Sequence, residues 1–159
     1  MAELLLGLPV AQSINKELID RVASLREAGV APKLAIVRVG AREDDLSYER
    51  GALKRCDALG IDAEVLHFEE TEIDTQALIS QINELNARRD VHGVLMFRPL
   101  PAFIDQAAVC EALDPAKDVD CLTSGSLFGV LAGMPRGFAP CTAEAVLELL
   151  DFYGIALDG

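Results

Sequence analysis

The segment Lys33-Leu34-Ala35-Ile36-Val37-Arg38-Val39 most constrains what this chain can fold into, because it is β-branched, almost wholly apolar and stops at Gly40. A strand buried on both faces of a sheet has that unbroken character, whereas a half-solvated strand alternates. The residues that follow repeat one unit. A helix is expected from about Asp45 to Leu59, closed by Gly60, which takes a left-handed cap conformation freely. Next come a strand around Ala63-Glu64-Val65-Leu66-His67-Phe68 and a helix from about Thr75 to Arg88. Asp74 is its expected N-cap, and Leu78, Ile79, Ile82 and Leu85 fall on one side of it. A third strand, Gly93-Val94-Leu95-Met96-Phe97, completes the pattern. Strands alternating with helices imply a mostly parallel sheet with right-handed crossovers and helices on both faces. The fold class is therefore α/β, a three-layer αβα sandwich in a single domain, with ligands expected beyond the carboxyl ends of the strands.

The flanks are less regular. Apolar residues between Val10 and Val22 recur at spacings of three and four, which predicts an amphipathic helix starting after Pro9 and ended by Gly29. Beyond Pro99 the expectation is a helix from about Ala107 to Leu113, a loop through Asp120, and a last helix from about Thr142 to Tyr153. Thr142 reads as its N-cap, and Ala145, Val146, Leu149 and Leu150 as its apolar face. Gly125, Gly129 and Gly133 have small-xxx-small spacing, which outside a membrane reads as loop turns or close packing rather than helix pairing.

A chain of 159 residues is long enough for one core and short for two domains. No apolar run approaches the ~20 residues that span a bilayer, which argues against a membrane role. The N-terminus places Glu3 where a secretory signal carries positive charge, so the expected compartment is the cytoplasm. Twenty-six acidic residues against fourteen basic ones give a net charge of -12, which repels nucleic-acid phosphates. The four cysteines lack CxxC spacing and only two histidines are present, so no metal site is expected and the thiols read as free. Neither a GxGxxG turn nor a GxxxxGK[ST] loop occurs, so no nucleotide-binding motif is present.

Two short segments carry the chemistry: Ser47-Tyr48 through Cys56, and Gly93 through Pro99-Leu100-Pro101 followed by Lys117-Asp118-Val119-Asp120. With Gly7-Leu8-Pro9-Val10-Ala11, Val37-Arg38-Val39-Gly40, Gly60 and Pro140-Cys141-Thr142 in the same order, the chain resembles the N-terminal, folate-binding domain of the methylenetetrahydrofolate dehydrogenase/methenyltetrahydrofolate cyclohydrolase family. The resemblance covers nearly all of residues 1–159. It implies a reduced folate as substrate and NAD or NADP as the cofactor of the full-length enzyme. The nucleotide would be held by a Rossmann-type domain expected after Gly159, and the full-length enzyme could be a homodimer. On its own, the chain reads as an excised substrate domain or a natural fragment, inactive and prone to weak self-association.

In that family a tyrosine is followed four residues later by a lysine, and a glutamine precedes the Pro-Leu-Pro turn. An aspartate closes the KDVD segment. Aligned on Cys56 and Gly60, the tyrosine is Tyr48 and the lysine position holds Ala52. Aligned on Pro99-Leu100-Pro101, the glutamine position holds Phe97, and the aspartate is Asp120. Lys54 is no substitute for the lost lysine, because six residues at ~100° each turn it roughly 240° away from Tyr48. It reads as a solvated surface lysine.

The chemistry implied by the resemblance then divides. A carboxylate can accept the pterin N–H and 2-amino donors in parallel, which makes Asp120 the substrate anchor, unless it merely caps a turn or faces water. Tyr48, the catalytic candidate, offers a ring face and a hydroxyl to orient the folate, although a core tyrosine would look the same. Pro99, Leu100 and Pro101 would form a stiff wall, as any strand-ending loop might. Arg98 could meet a folate glutamate carboxylate or turn to solvent. Hydride transfer to a nicotinamide mainly requires two rings held face to face. Cyclohydrolysis needs water activated and protons moved, which Ala52 and Phe97 cannot do. The resulting expectation is a dehydrogenase with cyclohydrolase activity weak or lost. The competing readings are a noncatalytic folate-binding or regulatory module, and a generic α/β domain whose motifs are coincidental packing.

Overall fold

The computed structural model describes residues 4–135 and 137–157. Strand β1 (Lys33–Val39) lies between β2 (Asp62–Phe68) and β3 (Gly93–Met96), all parallel, in the order β2-β1-β3. The register runs Lys33↔Asp62 to Val39↔Phe68 on one side and Leu34↔Gly93 to Val37↔Met96 on the other. The central strand explains its own composition, because residues 35–39 are all buried.

Period two splits β1 between two layers. Ala35, Val37 and Val39 join Val94 and Met96 of β3 in a core with Leu78, Ile82 and Leu85 of α3 (Thr75–Ala87) and Val109 and Cys110 of α4 (Gln106–Glu111). Ile36 and Arg38 point the other way. On that side Val10 and Val22 of α1 (Gly7–Glu27) and Cys56 and Leu59 of α2 (Glu43–Leu59) are also buried. The α/β sandwich expected from the sequence is thus present, with α1 and α2 on one face and α3 and α4 on the other. No described helix is long and apolar enough to cross a membrane.

Local expectations at Gly60 and Asp74 hold. Gly60 caps α2 at φ 72°, and the Asp74 carboxylate accepts the Ala77 N–H at 2.8 Å. Four expectations need correction. Helix α1 begins at Gly7 rather than after Pro9, because a proline in the first turn lacks only an N–H that has no helical partner there anyway. Helix α4 starts one residue before the expected Ala107, at Gln106, with the Asp105 carboxylate accepting Ala108 N–H, and ends at Glu111 rather than Leu113. Gly125 and Gly129 lie inside a helix, α5 (Ser124–Leu131), not in loop turns. Gly133, at φ 63°, does lie in a turn after that helix, and close packing holds as well, since a Cβ on Gly125 would stand 2.8 Å from Pro115 Cγ. Finally, α6 (Cys141–Phe152) is preceded by Pro140, so Thr142 sits inside the first turn and caps nothing. Its expected apolar face is only partly covered: Val146 is exposed, while Leu149 and Leu150 are half-buried. Instead, α6 is tied to the N-terminal segment by the Tyr153 hydroxyl, which accepts Leu6 N–H at 3.1 Å and donates to Leu6 C=O at 3.0 Å.

Candidate functional site

The motif residues gather beyond the carboxyl ends of β1 and β3. Arg38 is the charged residue in the buried strand, 6 % exposed, and its Nε meets Glu49 of α2 at 2.7 Å while its Nη1 donates to the Gly40 carbonyl. A buried guanidinium needs such partners, and meeting them fixes the height of α2 over the strand end. Tyr48, the neighbour of Glu49, is thereby held over β3. Its ring packs edge-to-face on Phe97, with centroids 5.3 Å apart and planes at 71°. Phe97 follows the last residue of β3, donates its N–H to Val37 C=O at 2.9 Å and is 6 % exposed. Strand alternation turns it away from Met96 and the α3 core toward α2. Tyr48 remains 63 % exposed and open to a ligand.

Ala52 lies one turn beyond Tyr48. Both line a groove of about 1150 Å³ between α1, α2 and α6, with Ser47, Cys56 and Cys141. Lys54 is exposed and absent from that lining, in line with its helical angle. Pro99, Leu100 and Pro101 lie elsewhere: with Val39, Arg42, Glu70 and Phe103 they line a separate space of about 220 Å³, and Leu100 is buried in the α3 core.

The KDVD segment divides into two structural residues and one presented to solvent. Gly93 lets the segment lie against β3, because a Cβ there would come within 2.6 Å of Val119 Cγ1, and Val94 N–H donates to Lys117 C=O at 2.7 Å. The Lys117 ammonium donates to the carbonyls of Leu85, Asn86 and Arg88 at the end of α3, at 2.7, 2.9 and 2.6 Å. Burial pulls its pKa down from the ordinary lysine value. Asp118 is wholly buried and accepts the N–H groups of Leu122 and Thr123, both at 2.8 Å. Those two bonds draw the chain into a tight turn through Cys121, which takes φ 55°, a region few non-glycine residues enter. Asp120 stands on the outside of that turn with its side chain 32 % exposed, 3.5 Å from Arg98 Nη2. Cys141, at the start of α6, donates its thiol to Val119 C=O at 3.3 Å. Burial first, then the nearby Asp120 carboxylate, push that thiol's pKa up.

The structure therefore brings together Tyr48, Ala52 and Phe97, and holds Asp120 on the adjoining loop. Sequence reasoning set Arg98 aside and passed over Cys141 and the Arg38–Glu49 pair. A charge inside the otherwise apolar β1 run was the available signal for Arg38. Nothing in the sequence spacing signals the Arg98–Asp120 contact, which depends on the turn around Cys121.

The model of the tetrahydrofolate dehydrogenase/cyclohydrolase catalytic domain matches residues 5–120. The bifunctional protein FolD of Carboxydothermus hydrogenoformans is 48 % identical over 159 residues, all of this chain and 55 % of that protein. Among solved structures, the bifunctional FolD methylenetetrahydrofolate dehydrogenase/cyclohydrolase of Campylobacter jejuni superposes with a TM-score of 0.94 at 33 % identity, over 99 % of this chain and 55 % of that one. The Trypanosoma brucei methylenetetrahydrofolate dehydrogenase-cyclohydrolase, solved with NADP cofactor and an inhibitor, gives a TM-score of 0.86 at 32 % identity, over 96 % and 52 %. The chain spans about half the length of the curated relatives it matches. Sheet order, segment order and these matches agree, and the chain belongs to the tetrahydrofolate dehydrogenase/cyclohydrolase catalytic-domain family.

Proposed function

We propose that this chain is the folate-holding domain of a 5,10-methylenetetrahydrofolate dehydrogenase, which oxidises its substrate to the methenyl form with NAD or NADP, and that cyclohydrolase activity is weak or lost. The observation that carries this reading is the groove wall where Tyr48 packs edge-to-face on Phe97 with Ala52 one turn away. In this reading Asp120 accepts the paired donors of the pterin edge, and Tyr48 sets the ring orientation with its face and hydroxyl. The Phe97 ring, itself almost wholly buried, supports Tyr48 from behind. Neither a methyl nor a phenyl group can take or give a proton, so no side chain at these two positions assists water in attacking a methenyl carbon.

The nicotinamide nucleotide does not fit the residues present. The β1-to-α2 turn has one glycine, Gly40, and lacks the glycine-rich pattern that lets backbone N–H groups approach a pyrophosphate at a helix N-terminus. We assign that nucleotide to a second, C-terminal Rossmann-type domain. Exposed apolar side chains on α5 and α6, including Phe128, Leu131, Val146 and Leu147, offer faces for that domain and for a second copy in a full-length homodimer. The free cysteines fit a cytoplasmic location.

Calorimetric titration of the chain with 5-formyltetrahydrofolate, a stable reduced folate, tests the binding half of the proposal. Saturable binding is expected, weakened about tenfold or more by Asp120→Ala, which removes a charged acceptor, and several-fold by Tyr48→Ala. Binding indifferent to both substitutions would place the folate elsewhere.

A further inference from the structure

Asp120 is half-buried on a loop, and a carboxylate that reads two adjacent donors must hold its plane steady. One cation stands beside it. Arg98 Nη2 stands 3.5 Å from Asp120 Oδ2, with the two side chains 41 % and 32 % exposed. The Arg98 backbone is fixed on both sides: the preceding Phe97 N–H is bonded to β1, and Pro99 follows with its φ locked by the ring. Its carbonyl accepts from Arg42 Nη2 at 3.3 Å, and Arg42 is itself locked to Asp45 through two bonds of 2.9 and 2.8 Å. The groove beside Asp120 is lined by three carboxylates, Asp44, Glu144 and Glu148, against one guanidinium, Arg55 of α2, which donates to Asn15 Oδ1 at 3.3 Å, and at the position where the family resemblance expects a lysine it carries Ala52. Arg98 is therefore a cation brought to the anchor from the loop that follows β3.

We propose that Arg98 is a positioning residue for the folate anchor: it draws Oδ2 of Asp120 toward β3 and fixes the carboxylate plane, leaving the remaining lone pairs for the pterin donors. The inference rests on the folate reading above. It differs from the idea that Arg98 meets the glutamate tail of the substrate, because here it acts on the pterin end and through Asp120. A guanidinium paired with one oxygen at 3.5 Å leaves hydrogen-bonding capacity on both, since a carboxylate accepts about four hydrogen bonds.

The test is calorimetry on the 159-residue chain with two probes, 5-formyltetrahydrofolate and 5-formyltetrahydropteroate, which lacks the glutamate. Arg98→Leu is expected to weaken both probes equally, by about twofold to fivefold for a partly exposed charge pair. Arg98→Lys should recover most of that loss, and Arg98→Leu should cost nothing further in an Asp120→Ala background. Arg98→Gln, which is shorter but polar and uncharged, serves as a second neutral variant if leucine disturbs folding. A loss confined to the glutamate-bearing probe, or additive losses in the double variant, overturns the proposal. Wild-type binding that depends on Asp120 and is indifferent to Arg98 overturns this inference alone, whereas no wild-type binding removes the folate reading and this inference with it.

Discussion

Ala52→Lys and Phe97→Gln, introduced together in a full-length enzyme, are expected to raise methenyltetrahydrofolate hydrolysis by about a hundredfold or more, the usual scale of positioned acid–base assistance. Either substitution alone should do far less, because an ammonium without its hydrogen-bonding partner is poorly held over the reacting carbon. The geometry supports the pairing: Tyr48 and Ala52 share one helix face, and Phe97 touches Tyr48 from β3. The exchange carries a stability cost. Phe97 is 6 % exposed and supplies the edge contact to Tyr48, so glutamine there should destabilise by about 2–4 kcal/mol. Hydrolysis is followed as loss of the methenyl form against the uncatalysed rate. A double variant that binds folate like the wild type and hydrolyses no faster would show that the two positions do not govern hydrolysis.

Asp118→Ala is expected to lower stability by about 3 kcal/mol or more, because it leaves the buried N–H groups of Leu122 and Thr123 without an acceptor. In a chain of this size that corresponds to a fall in Tm of about 6–12 °C. The same substitution should weaken folate binding, since the two bonds hold the left-handed turn at Cys121 that presents Asp120. Asp118→Asn keeps one good acceptor oxygen and should fall between wild type and alanine on both scales. Urea denaturation and calorimetry read the two effects. Full stability in Asp118→Ala would mean that the loop finds other partners for its backbone.

The sheet was legible because its signal is strong and local. An apolar β-branched run ending at Gly40 has few readings other than a buried strand, and Lys33–Val39 is the strand observed. Helix ends marked by chemistry, Asp74 and Gly60, were legible for the same reason. Helix α5 was not, because Gly125 and Gly129 each cost about 1 kcal/mol in a helix and mask its apolar periodicity. Packing overrides propensity there: Gly129 is buried and Thr123 caps the first turn through Ser126 N–H. At the site, the helical spacing of Tyr48, Ala52 and Lys54 could be read directly. The partition of Lys117, Asp118 and Asp120 could not, since the three lie within four residues and only the fold shows which are buried. Pro99-Leu100-Pro101 was the residue set most displaced by the fold, because Leu100 turns into the α3 core and takes the segment away from the Tyr48 groove.

The central claim is that hydride transfer survives where hydrolysis does not, and the two activities can be separated in one experiment. A full-length enzyme carrying this domain is given 5,10-methylenetetrahydrofolate with NAD or NADP, and both the reduced nucleotide and the folate products are followed. The account predicts that reduced nucleotide forms and methenyltetrahydrofolate accumulates, opening to the formyl product only at its uncatalysed rate. Formyl product appearing in step with the reduced nucleotide would contradict the loss of cyclohydrolysis. Folate binding with no reduced nucleotide at all would make the domain a noncatalytic folate-binding module.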